Sequence, residues 1–308
     1  MTVASQTLRV LTGLTGRSRL ATRGLARGLS VFTFHDVTDR PSPFQVAADV
    51  ATPTQVFRQQ VEWIARTFDV IDPSILAGSE GLPSNAAAIT FDDAWLGTFT
   101  NGFAILDELS LPAISFLNYC GIDNGIDAAA LAAFEHGINS EFPSMKNRND
   151  RPSDPDAFRV FQGDLATDST IQYWNKHHHC SFGSHLYWHV LSTGATPAEF
   201  EESYLRNKYR LAELKNGLNL MSFPFGQPGK HFNNRQVALA RDLGARRVFS
   251  AYARVNRSPA ERFLLDRIAL PVDDSRPGAL VKRLVHRTLV DWLRRTPPGH
   301  SGWSAGQA

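Results

Sequence analysis

Of 308 residues, 43% are hydrophobic and 20% charged, which suits a folded chain with a large core and excludes disorder over most of its length. Thirty-two Lys and Arg against 30 Asp and Glu leave a net charge of +2, too balanced to point to nucleic acid or a strongly acidic partner. The two cysteines, Cys120 and Cys180, sit in apolar strand-like runs and read as buried free thiols, and no run of 18 apolar residues marks a transmembrane helix.

The first 28 residues carry Arg9, Arg17, Arg19, Arg23 and Arg27 without a single acid. This is the composition of a basic solvated arm, and also of a transit peptide or membrane-surface segment with Leu8, Leu11 and Leu14 on one face. Gly13, Gly16, Gly24 and Gly28 interrupt any long helix and favour the arm. With no apolar stretch of signal-peptide length, the expected location is cytoplasmic.

LSVFTFHDV (29–37) alternates Val31, Thr33 and His35 with Phe32, Phe34 and Asp36, the pattern of a strand between core layers that ends near His35. TPTQVFRQQVEWIARTF reads as a helix with a Thr cap and Val56, Phe57, Val61, Ile64 and Phe68 at helical spacing, and DVID as a short strand. AAAITFDDAW (86–95) is the organising stretch: an apolar run, suited to a strand buried on both faces, ends in Asp92 and Asp93. Successive strand residues face opposite ways, so the two carboxylates share a site only if the strand stops there and one turns in from the loop.

FAILDELSLP continues as a helix up to Pro112, and AISFLNYCGI is the next strand. Residues 123–176 break the rhythm: AAALAAFEHG is helical, but the polar, Pro-rich SEFPSMKNRNDRPSDPDAF reads as a lid or substrate-facing loop. Strand CSFGS, helix PAEFEESYLRNKYRLAELKNG, strand LMSFPFG, helix NNRQVALARDLG and strands RRVFSAY and FLLDRIAL restore the alternation. The expected fold is α/β, an irregular (β/α) barrel of about seven to eight parallel strands, since no GxGxxG or P-loop suggests a nucleotide-binding sheet. Its domain would span 29–275, with the insertion at 123–176, a basic arm at 1–28, and 276–308 holding a basic amphipathic helix that packs on the barrel or contacts a membrane surface.

His185 and His189 are four apart, so a helical turn would put both on one face. With Asp93 they make two imidazoles and a carboxylate, a set that suits zinc and also serves non-haem iron oxygenases. His177, His178 and His179 cannot converge on one ion from a regular element and read as a solvated strand entrance, while His136, His231, His286 and His300 show no partner.

ITFDD, CSFGSHLYWHVL (180–191) and MSFPFG (221–226), in that order, resemble the NodB-homology polysaccharide deacetylases, carbohydrate esterase family 4, whose motifs read TFDDG, HxxxH and a Pro-aromatic-Gly turn. The resemblance runs from residue 29 to residue 271. It implies a NodB-like barrel, a divalent metal held by Asp93, His185 and His189 (Zn2+, with Co2+ or Ni2+ as substitutes), Asp92 as general base and the backbone N–H of Phe225 as oxyanion donor. The implied activity removes an N-acetyl group from an amino sugar of a glycan or glycan precursor. A glycan-binding or assembly protein that has lost activity, or a deformylase or other amide hydrolase, is the alternative.

Three positions depart from the family pattern. Ala94 stands where Gly is usual, which costs of order 1 kcal/mol if that residue needs positive φ. Ser222 replaces an Arg that would orient the base; Arg267, in LLDRIAL, is the candidate substitute, or else forms a plain surface ion pair. No Leu-x-His motif near the C-terminus supplies an acid for the leaving amine. His35, which ends a core strand in FHDV, resembling a YHxV motif used in that role, is the candidate, with Asp36 placed to orient its ring; the alternative is that His35 simply hydrogen-bonds the turn beginning at Asp36.

Overall fold

A computed structural model describes residues 22–24, 26–78 and 81–284. Strand β1 (Gly28–Phe34) opens a parallel sheet, β2 (Asp36–Val37) and β3 (Ala51–Thr52) pair beside it, and β4 (Asp69–Val70) lies along the start of β5 (Asn85–Phe91). β1 and β5 are in register over seven positions, from Gly28 opposite Asn85 to Phe34 opposite Phe91. The sheet then runs through β6 (Ala113–Leu117), β7 (Cys180–Ser184), β8 (Gly217–Ser222) and β9 (Arg247–Phe249). Closure comes from one short segment: β10 (Leu264–Leu265) pairs with β9, and β11 (Arg267–Ala269), one residue on, pairs with β1. Strands β1, β5, β6, β7, β8 and β9 and the β10–β11 segment thus form a closed, irregular parallel barrel.

The pleat divides the core. Phe32, Phe34, Ala87, Ile89 and Phe91 point outward into the main apolar cluster, where Phe57, Val61 and Ile64 of the helix Thr54–Thr67 meet them. Leu29, Val31, Ala86, Ala88, Phe116, Leu220, Phe249 and Leu265 fill the barrel interior. Gly183 is needed there, because a Cβ on it would stand 2.6 Å from the Phe116 ring. The same alternation carries the inward column of β5 upward from Ala86 through Ala88 and Thr90 to Asp92, and that of β1 from Val31 through Thr33 to His35.

The helices around the barrel are α1 (Pro43–Ala48), α2 (Thr54–Thr67), α3 (Ser74–Ala77), a π-helical turn (Thr98–Phe103) leading into α4 (Ala104–Glu108), α5 (Tyr119–Asn124), α6 (Ala128–His136), α7 (Pro155–Gln162), α8 (Asp168–Trp174), α9 (Pro197–Ala212) and α10 (Asn234–Asp242). Two local expectations are corrected. Pro53, not a threonine, is the N-cap of α2, and the Thr54 N–H and hydroxyl both bond Asp39, at 2.9 and 2.5 Å. Cys120 lies in α5 and not in a strand, because Asn118 ends β6. The Pro-rich stretch from Ser140 to Asp154 is loop, as expected, broken by one 3-10 turn at Met145–Asn147; α7, capped by Asp154 through Ala157 N–H, and α8, capped by Thr167, follow it.

This insertion is stitched to the loop after Asp93 by Ala166 N–H to Ala94 O and Leu96 N–H to Asp164 O. The expected C-terminal helix is described from 277 to 284, with Leu280, Val281 and Leu284 buried in the main core; its remainder, and nearly all of the basic arm, lie outside the described residues.

Candidate metal centre at the top of the barrel

β5 stops at Phe91, and Asp92 continues the inward column. Asp93 would face the helices if the strand went on. Instead it takes φ 71°, followed by Ala94 at φ 60°, and this left-handed pair swings its carboxylate back over the barrel mouth. The Trp95 indole N–H bonds Asp93 Oδ2 at 3.3 Å.

His185 directly follows β7, its N–H held by Leu117 O at 2.8 Å. No helical turn joins it to His189: residues 185–190 form an irregular loop with Leu186 at φ 61°, and this kink does what helical spacing was expected to do. The two Nε2 atoms stand 3.2 and 3.3 Å from Asp93 Oδ1.

The tautomers follow from the partners of the other ring nitrogens. His185 Nδ1 lies 3.0 Å from the carbonyl of Ser222, which only accepts, so Nδ1 carries the proton and Nε2 presents a lone pair. His189 Nδ1 lies 2.5 Å from a carboxylate oxygen of Asp127, with the same consequence. Asp93 Oδ1 is itself buried without a hydrogen-bond donor. With both rings neutral, three lone pairs converge in a dry site, an arrangement that repels itself unless a proton or a metal ion sits among them, and this donor set fits a metal ion. Burial pushes the His189 ring toward neutrality, but Asp127 and Asp93 outweigh it and raise its pKa to about 9 in the metal-free chain. Asp93, also opposed by burial, is held well below the usual carboxylate range by His189 and His185.

Asp92 is held otherwise. Arg267 Nη1 and Nη2 donate to its two oxygens at 2.8 and 2.6 Å, and Ser222 Oγ adds a 3.4 Å contact. Arg267 opens β11, level with Val31 inside the barrel, where its Nε bonds Ser250 O and its Nη1 reaches Thr90 Oγ1. It is 1% exposed, so this is a buried fork and not a surface pair. Burial would raise Asp92, but the Arg267 charge prevails and its pKa lies below 3.8.

Phe225 takes φ 59° in a tight turn closed by Gly226 N–H to Pro224 O, and its ring stacks on His189 at 4.7 Å. Gly226, at φ 66°, has no room for a Cβ, which would meet Ala251 N at 2.7 Å. His35 is half-buried and lines the same cavity as Asp92 and Asp93, its carbonyl accepting from Thr98 Oγ1 at 2.6 Å. Asp36 does not orient the His35 ring: its carboxylate turns to Val37 N–H and Gln45 Nε2, and burial lifts its pKa to about 6.

Two participants were invisible in the sequence reading. Asp127 looks only like a helix cap, which it also is through Ala130 N–H, yet its second oxygen reaches His189 across 62 residues. His231 accepts from Gln227 N–H and packs edge-on against Phe225, while its carbonyl takes the N–H groups of Ser192 and Thr193, tying the turn at Phe225 to the loop that carries His189. Asp92, Asp93, Asp127, His185, His189, Phe225, Arg267 and His35 line a cavity of about 380 Å³, and His231 stands outside that lining.

The sequence model of a family described as polysaccharide deacetylase matches residues 79–248. Among solved structures, the Streptococcus pyogenes deacetylase PplD, determined in complex with acetate, matches with a TM-score of 0.59 and 16% identity, covering 83% of this chain and 98% of that one. IcaB from Ammonifex degensii gives 0.59 and 19%, over 83% and 97%. The putative polysaccharide deacetylase BA0330 from Bacillus anthracis gives 0.59 and 14%, over 83% and 69%. At such identities these likenesses show a shared fold. No curated protein sequence matches the chain. Among the described residues, no helix is long and apolar enough to cross a membrane.

Proposed function

Because the chain belongs to the polysaccharide deacetylase family, we propose that it hydrolyses the N-acetyl group of an amino sugar in a glycan or glycan precursor, using a divalent metal, Zn2+ first, held by Asp93, His185 and His189. The observation that carries this reading is the pairing of two differently committed carboxylates: Asp93 facing two imidazole lone pairs, and Asp92 beside it, kept off the triad by Arg267.

Asp93, His185 and His189 would hold the metal ion, which when bound would polarise the amide carbonyl and acidify water. Asp92 accepts the proton of the attacking water; the Arg267 fork fixes its oxygens and keeps it ionised at neutral pH. The Phe225 N–H donates to the carbonyl oxygen as charge develops there. His35 protonates the departing amine, which leaves poorly otherwise. Residues 29–275 form the catalytic domain on this reading, and the Asp127 insertion belongs to it.

The test is acetate release, followed by mass spectrometry, from a panel of N-acetylated sugars with added Zn, Co or Ni. Acetate from at least one ligand and none after chelation supports the reading. A chain that purifies without stoichiometric metal and releases nothing is a binding protein, and release of formate alone from N-formyl sugars makes it a deformylase.

A further inference from the structure

The cavity has two unlike halves. Around the barrel mouth it is polar: Asp92, Asp93, His185, His189, Arg267 and His35. Facing them are Phe44, Ala47 and Val50, on and just after α1, and Ala129, Ala132 and Ala133 of α6. Among the described lining residues on this side, polar side chains come from Ser140, Glu141 and Asp127, the cap of α6, which is turned to His189. A second or third sugar ring presents hydroxyls at nearly every carbon, and each one buried without a partner costs affinity. Sugar rings are otherwise held by flat stacking on aromatic faces; here Phe44 is buried against Trp95 and Phe161 and Phe225 stacks on His189, which leaves Phe142, packed on Phe225, as the one exposed ring among the described lining residues.

The apolar side also opens outward. Ala47 and Ala48 are exposed, and Ile138 and Phe142 on the facing rim are 46% and 42% exposed. Apolar groups of this size left in water near a polar centre mark a surface that something apolar covers. An acyl group of the scissile amide would be held inward, beside the triad. The outward wall receives what extends away from the amide.

We propose, resting on the deacetylase reading of the site, that the substrate is amphiphilic: an N-acetylated amino sugar bearing an apolar substituent one ring carbon away, as on a lipid-linked glycan, with α1 and α6 covering that substituent. A 2-acetamido sugar with an alkyl chain at C1 has this form. Burying each methylene gains about fourfold in affinity, so a few suffice for a large preference.

The test uses the unaltered full chain supplied with zinc. The ligands are n-octyl 2-acetamido-2-deoxyglucoside below its micellar concentration, free N-acetylglucosamine, tetra-N-acetylchitotetraose, N-octanoylglucosamine and n-octyl glucoside. Affinity is measured by calorimetry, and kcat/KM wherever acetate is released. The octyl acetamido glycoside is expected to exceed both free sugar and tetrasaccharide at least tenfold, and Ala47→Asp, at an exposed position, to erase most of that advantage. Equal or better performance of the tetrasaccharide overturns the proposal, as does a matching gain by N-octanoylglucosamine, which would place the chain on the acyl side, or by octyl glucoside, which lacks the amide. If nothing is turned over, the hydrolase reading fails while the affinity order still decides this inference.

Discussion

Arg267 of β11 grips Asp92, 175 residues earlier, through two parallel N–H···O bonds of 2.8 and 2.6 Å inside the barrel. A fork of this kind fixes both oxygens of a carboxylate and keeps it charged, while the neighbouring Asp93 is left facing the two imidazoles. Arg267→Met leaves that charge buried alone, and the expected loss of stability is about 3–5 kcal/mol in urea unfolding at pH 7. Asp92→Asn added to Arg267→Met should recover part of it; no recovery would mean that Arg267 acts through its packing.

The pH dependence follows in sign. Asp92 is depressed below its ordinary 3.8, so its pairing stabilises the chain above about pH 4, and that contribution is lost as pH falls through the folded value. In Arg267→Lys the fork is gone and the carboxylate titrates higher. The acid limb of the kcat/KM profile should then move to higher pH, and an unmoved limb would argue against Asp92 as the base.

Asp93→Asn, His185→Ala and His189→Ala are each expected to strip the metal and abolish turnover, whereas Asp92→Asn keeps the metal and loses roughly 10² to 10⁴-fold in kcat. Metal content by plasma emission separates the two groups. Loss of metal from Asp92→Asn would exchange the roles of the two carboxylates.

Asp127→Asn changes no atom of the triad and preserves the helix cap, yet it weakens the anchor of the His189 ring. Zinc affinity should drop about 10 to 100-fold in a chelator competition. Unchanged affinity would reduce Asp127 to the cap of α6.

His35→Ala should leave metal content and melting temperature nearly as they are while lowering kcat on N-acetyl sugars, with a smaller loss on an activated aryl ester whose leaving group needs no proton. The ratio of the two losses is the measurement, and equal losses on both substrates would remove His35 from the proton-donor role.

Ala94 holds φ 60°, a conformation that strains an L-residue. Ala94→Gly is expected to stabilise the chain by roughly 1 kcal/mol, read as a rise of about 2 °C or more in Tm. A lower Tm would show that the buried Ala94 methyl contributes more by packing than its backbone loses.

The alternation of strands and helices was legible along the chain, because apolar runs of strand length between Pro- and Gly-marked breaks leave little else for it to form. The sequence also marked where the site would be, since Asp92, Asp93, His185 and Phe225 directly follow apolar runs, and strand ends are where a barrel leaves side chains uncovered. Only the tertiary structure decided how those residues meet. The two histidines converge through a left-handed kink at Leu186, which no periodicity announces. Asp127 reaches His189 from a segment that reads as an insertion, and Arg267 reaches Asp92 because β11 closes the ring against β1. Local patterns are set by neighbours three or four residues away, so they are legible along the chain. A contact across 62 or 175 residues depends on strand register and barrel closure, which are fixed only when the whole core packs.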